Sequence, residues 1–181
     1  MDKIASLGDG HRFATGSQDY SIRIFDLSTC SLQGVFDSSN GGHTNKITAL
    51  LWLGRDNVNM LASGSADSTV KLWNVASLTL VRTLEGHTNW ITSLAYLGKG
   101  NLASGSADFA IKVWSISNGG SLLTTLTGHT SEVSGLSLVG NDSMASVSFD
   151  GSIKIWNLNS IYPSHNQCPD RFGTHLFSIL S

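Results

Sequence analysis

Apolar and polar side chains alternate along four short segments of this chain. The order aliphatic, Lys or Arg, aliphatic, aromatic occurs at residues 22–25, 70–73, 111–114 and 153–156. A period of two puts both aliphatic side chains on one face of a β-strand and puts the cation and the aromatic ring on the other face. The alternation therefore predicts four similar strands.

Each predicted strand belongs to a longer unit that recurs about every 42 residues. The units are FATGSQDYSIRIFDL (13–27), LASGSADSTVKLWNV (61–75), LASGSADFAIKVWSI (102–116) and MASVSFDGSIKIWNL (144–158). Each has the composition of a strand, a tight turn that contains an Asp, and a second strand. Apolar runs such as ITALLWL precede the units, and others such as TLVRTL follow them. We predict four strands per module in one stack, because such repeats bury their apolar faces against neighbouring modules.

Polar residues mark the same positions in each unit. The turn aspartates are Asp19, Asp67, Asp108 and Asp150, and the aromatic residues that follow them are Phe25, Trp73, Trp114 and Trp156. A Gly-His pair precedes three of the units, with the histidines His43, His87 and His129. Gly-His near the start of a module and an aromatic followed by Asp, Asn or Ser near its end resemble the WD40 repeat, which builds β-propeller blades.

The resemblance implies an all-β fold, a WD40-like β-propeller segment of about four four-stranded blades. It implies one repeat domain at 1–160, with blades at about 3–43, 44–87, 88–129 and 130–160, followed by an irregular C-terminal tail at 161–181. In the family the aromatic residue is usually followed by Asp. Here only Asp26 keeps that residue, whereas Asn74, Ser115 and Asn157 replace it.

The resemblance also implies a structural tetrad of hydrogen-bonded His, Ser, Asp and Trp in three of the modules. The three sets are His43, Ser63, Asp67 and Trp73; His87, Ser104, Asp108 and Trp114; and His129, Ser146, Asp150 and Trp156. A buried carboxylate and a buried indole N–H both need partners, and a chain of hydrogen bonds through Ser and His satisfies both. The first unit has Thr15 and Asp19 but carries Phe25 and lacks the Gly-His pair, so we expect no tetrad there.

The same Ser, His and Asp residues also match the roles of nucleophile, base and orienting group in a hydrolase. An enzyme needs one such set beside a cleft, whereas this chain has three at nearly fixed spacing, each accompanied by a Trp. We therefore expect no catalytic residues and a structural role for the three sets. A hydrolase that uses one Ser-His-Asp set is the alternative hypothesis.

Composition and charge limit the partners. A formal net charge of -2 and scattered Lys and Arg residues argue against nucleic acid as a partner. No segment has the length of a membrane span or the apolar core of a signal peptide, so we expect no membrane association and a cytoplasmic or nuclear location. Cys30 and Cys168 are expected to be reduced thiols in such a compartment.

Motifs for cofactors and metals are absent or weak. The chain contains no GxxxxGK[ST], HExxH or helix-opening GxGxxG segment. His165, Cys168, Asp170 and His175 in the tail have metal-capable side chains, but one H-x-x-C spacing beside two prolines is poor support for a zinc site. We expect no cofactor and no metal.

The resemblance implies that function lies on the broad face of the propeller, where family members hold peptides or other proteins. The matching positions of a partner-binding face are Gln18, Lys46, Thr48, Trp90, Thr92, Glu132, Ser134 and Phe149. Trp90 and Phe149 are the favoured anchors, because aromatic residues at turns and loop entries have little core to fill. The alternative for Trp90 is a lid over its own blade. The predicted function is a non-catalytic protein-interaction scaffold.

Four blades are fewer than the seven that complete propellers of this family most often have. Pro163 and Pro169 occupy the region where the last outer strand is expected, and proline cannot donate to a β-ladder. Segment 171–180 is a candidate for a displaced strand. We favour an incomplete or partner-completed ring. The hypotheses that compete are a fragment of a longer propeller, a homodimer through unpaired blade edges, and a strained four-bladed ring.

Overall fold

The protein is described by a computed structural model that covers residues 3–54, 59–161 and 177–178. Within these residues the strands are β1 (Lys3–Ser6), β2 (Arg12–Gly16), β3 (Ile22–Asp26), β4 (Ser31–Phe36), β5 (Ile47–Trp52), β6 (Met60–Ser65), β7 (Val70–Asn74), β8 (Thr79–Leu84), β9 (Ile91–Gly98), β10 (Asn101–Ser106), β11 (Ile111–Ser115), β12 (Ser121–Leu126), β13 (Val133–Val139), β14 (Ser143–Ser148), β15 (Ile153–Asn157) and β16 (Phe177–Ser178). Two 3-10 helical turns span Ser38–Asn40 and Leu158–Ser160.

The strands form four antiparallel sheets, each of four strands that pair in chain order. The first sheet contains β1 to β4, the second β5 to β8, the third β9 to β12 and the fourth β13 to β16. This architecture follows from the period of two and the Asp-containing turns, which close β2–β3, β6–β7, β10–β11 and β14–β15. The predicted all-β fold with four blades is confirmed.

Each sheet has two different faces, and neighbouring sheets pack an aliphatic face against an aromatic face. The aliphatic face of the first sheet carries Ala14, Ile22 and Ile24, which share one core with Leu61 and Trp73 of the second sheet. The same arrangement joins the second sheet to the third and the third to the fourth. The apolar core therefore lies between sheets, as expected when no module buries its own faces.

Three glycines allow these sheets to approach closely. Gly16 and Gly64 each lie against the side chain of Ile47 or Ile91 on the next sheet, so that a Cβ built on either glycine would overlap the isoleucine. Gly105 lies in the same way against Val133. A glycine at the end of the second strand is thus required wherever another sheet follows. The fourth sheet has Val147 at this position, paired with Ile153 as Gly64 is paired with Val70.

The innermost strands β1, β5, β9 and β13 lie next to one another along the stack. The four sheets do not close into a ring, so the predicted incomplete ring is confirmed. One part of the expected irregular tail at 161–181 differs from that expectation: β16 pairs with β15 through Ser178 opposite Lys154 and Phe177 opposite Ile155. Two residues are enough to pair at a sheet edge even though Pro163 and Pro169, which lie outside the described residues, separate them from β15 along the chain.

Candidate functional site

The second sheet contains a continuous series of hydrogen bonds that joins four side chains. The indole Nε1–H of Trp73 donates to the hydroxyl of Ser63, whose Oγ lies 2.8 Å away. Ser63 Oγ lies 2.7 Å from Nε2 of His43, and Nδ1 of the same ring lies 2.8 Å from Oδ2 of Asp67. When His43 is neutral and protonated on Nδ1, Trp73 donates to Ser63, Ser63 donates to His43, and His43 donates to Asp67. Each of these four side chains then has a hydrogen-bond partner.

The third and fourth sheets repeat this geometry with little change. His87 lies 2.7 Å from Asp108 and 2.9 Å from Ser104, to which Trp114 donates at 2.8 Å. The corresponding set of the fourth sheet is His129, Ser146, Asp150 and Trp156, with distances of 2.8, 2.7 and 2.8 Å for His to Asp, His to Ser and Trp to Ser. The structure thus brings together all twelve residues of the predicted tetrads in three groups of four.

The first sheet lacks this arrangement. The carboxylate of Asp19 accepts hydrogen bonds from Ser21 and from Arg23, whose Nη2 lies 2.7 Å away. The ring of Phe25 stacks on Phe13 with 5.4 Å between the centroids. Phe25 has no N–H to donate, and Gly10-His11 lies between β1 and β2 instead of in a loop before an innermost strand, so Asp19 is satisfied locally.

Two further sets of groups hold each tetrad, and the sequence analysis missed them. The backbone N–H groups of Thr44, Thr88 and Thr130 donate at 3.0 Å to Oδ2 of the turn Asp, the same carboxylate oxygen that the tetrad His contacts. Ser65, Ser106 and Ser148 accept from the N–H of the same Asp and donate to a carbonyl in the preceding loop. The visible signal was a Ser two positions before every turn Asp.

Burial lowers the pKa of His43 and His87, and the hydrogen bonds to Asp67 and Asp108 oppose this effect only in part. Burial raises the pKa of Asp67, but hydrogen bonds from His43, Thr69 and the Thr44 N–H outweigh it and hold that pKa well below its ordinary value. The hydroxyl of Ser152 has the largest influence on Asp150, whose pKa is also lowered. The neutral form of His43 and His87 and the ionised form of Asp67 and Asp150 are therefore favoured in the folded protein.

We expect the melting temperature to fall as the pH is lowered through the range of the tetrad groups. The ordinary pKa of a histidine is 6.5, so below that pH the unfolded chain takes up protons on His43 and His87 that the folded chain binds less readily. A second loss is expected below 3.8, where unfolded aspartates take up protons and Asp67 in the folded chain does not. Calorimetry between pH 7.5 and pH 2 measures both losses, and a melting temperature that stays constant from pH 7.5 to pH 5 would contradict the loss expected from the histidines.

The tetrad serines cannot serve as nucleophiles in this geometry. Ser63, Ser104 and Ser146 are buried, and each hydroxyl already contacts both an indole N–H and an imidazole nitrogen. A substrate carbonyl would need an open position about 3 Å from the oxygen. What the arrangement can do is fix the loop before each innermost strand, because His and the Thr N–H both bind the turn Asp.

All eight residues predicted for the partner-binding face line one concavity of about 350 Å³. They are Gln18, Lys46, Thr48, Trp90, Thr92, Glu132, Ser134 and Phe149, and Lys3, Ile47 and Ile91 complete the lining. The lining comes from all four sheets, since the first contributes Lys3 and the fourth contributes Glu132. Lys3 was not predicted, because the only face position that the sequence analysis took from the first module was Gln18, in its turn.

Two aromatic side chains and charges of both signs give this concavity its chemistry. Phe149 is 72% exposed and Trp90 is 46% exposed. The ammonium group of Lys46 lies 4.2 Å from the centroid of a Trp90 ring, a cation–π contact between residues of neighbouring sheets. The hydroxyl of Thr48 is buried and has no hydrogen-bond partner. Apolar rings and charged groups of both signs are thus available within one concave surface.

The structure describes only some of the other residues that the sequence analysis considered. Within the described residues no group of three or more metal-capable side chains lies together, and His165, Cys168, Asp170 and His175 fall outside them. Cys30 is exposed and free. Across residues 3–54, 59–161 and 177–178, no helix has the length and apolar character needed to cross a membrane.

Comparison with family models finds four matches, all to the WD domain, G-beta repeat (WD40). They cover residues 3–26, 32–74, 78–115 and 120–157, which is more than half of the chain. The first match covers β1 to β3, and each later match begins with the outer strand of one sheet and continues with three strands of the next. The last three matches each end at the residue after the tetrad Trp.

Individual proteins show the same similarity. Nuclear distribution protein PAC1-1 of Uncinocarpus reesii is 38% identical over 85 residues, which are 46% of this chain and 18% of that protein. The solved structure of the computationally designed Ika4 protein is 35% identical with a TM-score of 0.71, covering 82% of this chain and 86% of that one. U3-55K superposes with a TM-score of 0.79 at 23% identity, covering 87% of this chain and 48% of that one. The chain thus spans less than a fifth of this curated relative.

Proposed function

The chain belongs to the WD40-repeat family, and from this we propose that it is a non-catalytic protein-interaction scaffold that holds a peptide segment of another protein in the concavity around Trp90 and Phe149. The observation that carries the proposal is the convergence of eight face residues from four sheets on one concave surface. WD-repeat relatives such as Lissencephaly-1 homolog of Caenorhabditis briggsae support the general role of scaffold.

The lining favours an extended segment with an apolar residue between polar ones. Exposed aromatic rings bury a large area at low entropic cost, and such residues dominate binding energy in protein interfaces. Lys3 and Lys46 can bind a carboxylate on one side of the rings, while Glu132 can bind a cation on the other.

The tetrads serve this surface by fixing its loops. Lys46, Trp90 and Glu132 each lie a few residues after a tetrad His, in the loop that leads to an innermost strand. Because each tetrad Asp binds both that loop and its own turn, the loop is pre-organised before a partner arrives. We propose this structural role for all three tetrads, in place of the hydrolase alternative.

We extend the proposal to the organisation and location of the protein. Residues 1–160 are proposed to form one repeat domain, with blades at about 3–43, 44–87, 88–129 and 130–160. The observed sheets fall inside these limits, apart from β16. A cytoplasmic or nuclear location is proposed from WD-repeat relatives such as nuclear distribution protein PAC1-1.

Selection of binding peptides from a random peptide library tests the proposed surface. Peptides that bind the wild-type chain are expected to lose at least about tenfold in affinity for Trp90→Ala and for Phe149→Ala, since an aromatic anchor contributes about 2 kcal/mol. Dissociation constants measured by fluorescence anisotropy give the comparison.

Phe109→Ala is the matched control. Phe109 has the same exposed fraction as Trp90, 46%, and lies in the turn of the same sheet, but it does not line the concavity. Its replacement is expected to leave the affinity unchanged. Selected peptides that bind Trp90→Ala, Phe149→Ala and wild type equally would show that the proposed surface is wrong.

A further inference from the structure

The aliphatic face of the fourth sheet is exposed, although the same face of every other sheet is buried. Ile153 occupies the position of Ile22, Val70 and Ile111 in the repeat. Those three side chains are 0% exposed, whereas Ile153 is 54% exposed. Val147 and Val139 on the same face are exposed as well. Strands β13 to β15 place no charged residue on this face among their described residues.

The aromatic face of the first sheet is exposed at the opposite end of the stack. Phe13 and Phe25 stack there in the positions that Leu61 and Trp73 occupy on the second sheet. Ile4, which pairs with Thr15 on this face, is 71% exposed, and Leu32 opposite Phe25 is exposed too. The one cation of this part of the face, Arg23, is already paired with Asp19 at 2.7 Å.

One of these exposed faces is aliphatic and the other is aromatic. The same two kinds of face pack together at each of the three interfaces between neighbouring sheets. An aliphatic face that carries Ala14, Ile22 and Ile24 receives the aromatic face of the next sheet. The fourth sheet offers Ala145, Ile153 and Ile155 in the same register, and the first sheet offers the aromatic face; among the described residues no further sheet packs on either one.

We propose that the occupant of both faces is a second copy of this chain. The first sheet of one copy packs on the fourth sheet of the other, and the same contact is made a second time at the other end. Two identical contacts related by a twofold axis close a ring of eight sheets and cover both exposed faces at once. A single docked blade from another protein would cover only one of them.

Val147 favours a second copy over one more ordinary repeat. At the internal interfaces a glycine such as Gly64 admits a β-branched residue such as Ile91 from the first position of the next innermost strand. Val147 fills that space from the fourth sheet itself, so a repeat with Ile at this position would overlap it. Lys3 pairs with Gly16 as Ala49 pairs with Gly64, so the residue of the first module that corresponds in sequence to Ile47 is Met1, which is unbranched and adaptable. The β-branched residue of the proposed contact is then Val147 of the fourth sheet, and the two faces remain complementary.

Sedimentation equilibrium of the full chain tests the proposal, with circular dichroism to show that each variant is folded. The wild-type chain is expected to have the mass of two copies. Ile153→Glu and Ile4→Lys are each expected to be folded monomers, because each variant carries a charge in both contacts of the ring. Val81→Glu is the matched control: Val81 is 49% exposed on β8, away from both faces, and its replacement is expected to leave the dimer intact.

Mixing the two monomeric variants provides a test that misfolding cannot imitate. A mixed dimer has one wild-type contact and one contact in which Glu and Lys approach each other, so equal amounts of Ile153→Glu and Ile4→Lys are expected to restore the mass of two copies. A wild-type chain that is monomeric at all concentrations, folded or not, would overturn the proposal. A mass that keeps rising with concentration would also overturn it, because that indicates an open polymer. The same holds if Val81→Glu weakens the dimer as much as Ile153→Glu and Ile4→Lys do.

Discussion

Trp73→Ala is expected to lower the free energy of unfolding by about 3–5 kcal/mol, the usual cost of removing a buried Trp side chain. Trp73 is fully buried between the first and second sheets, and its ring lies 4.6 Å from that of Phe36. The substitution leaves a cavity in the core and removes the N–H that donates to Ser63. Urea denaturation of wild type and variant at neutral pH measures the difference.

The first sheet provides a control for this substitution. Phe25 occupies the same repeat position but stacks on Phe13 at the exposed end of the stack and belongs to no tetrad. Phe25→Ala is expected to cost less than half as much as Trp73→Ala. Equal losses for the two variants would mean that the inter-sheet position of Trp73 contributes nothing of its own.

His87→Ala is expected to lower the free energy of unfolding by about 3 kcal/mol, because removal of one partner leaves the others buried without hydrogen bonds. The side chain of His87 is enclosed, and Asp108 and Ser104 both lose a partner when it is removed. For a domain of this size, such a loss corresponds to a fall of about 6–12 °C in melting temperature.

His11→Ala is the matched control for His87→Ala. The imidazole of His11 is half exposed and contacts only Asp9, at the surface of the first sheet. Its replacement is expected to change the melting temperature by no more than about 1 °C. A His87→Ala variant as stable as His11→Ala would show that the tetrad does not hold the loop and the turn together.

Local patterns were sufficient to predict the sheets. The alternation at residues 70–73 and its three copies fixes which side chains share a face, because consecutive side chains on a strand must point to opposite sides. The repeated Asp marks each turn, and the repetition itself shows that the faces pack on one another. Nothing in this inference requires knowledge of distant contacts, since each strand from β1 to β15 pairs with neighbours in the chain.

Contacts between modules were harder to predict. The cation–π contact of Lys46 with Trp90 joins two sheets, and neither residue has a partner of fixed spacing in the repeat. The place of Lys3 in the concavity was not predicted either, because it depends on how neighbouring sheets pack on one another. The sequence offered segment 171–180 only as a candidate for a displaced strand and did not locate β16 within it, because a two-residue strand shows no measurable alternation.

The pairing of each strand with its sequence neighbour also determines how this chain can fold. Loops that close within one sheet are short, so the entropy lost in bringing two strands together is small for every pair from β1 to β15. Nucleation can therefore begin in any sheet and spread to the next, and during synthesis the first sheet can assemble while later residues are still on the ribosome. The edge strand β16 is the exception, because it must wait for a long closure after the rest of its sheet has formed.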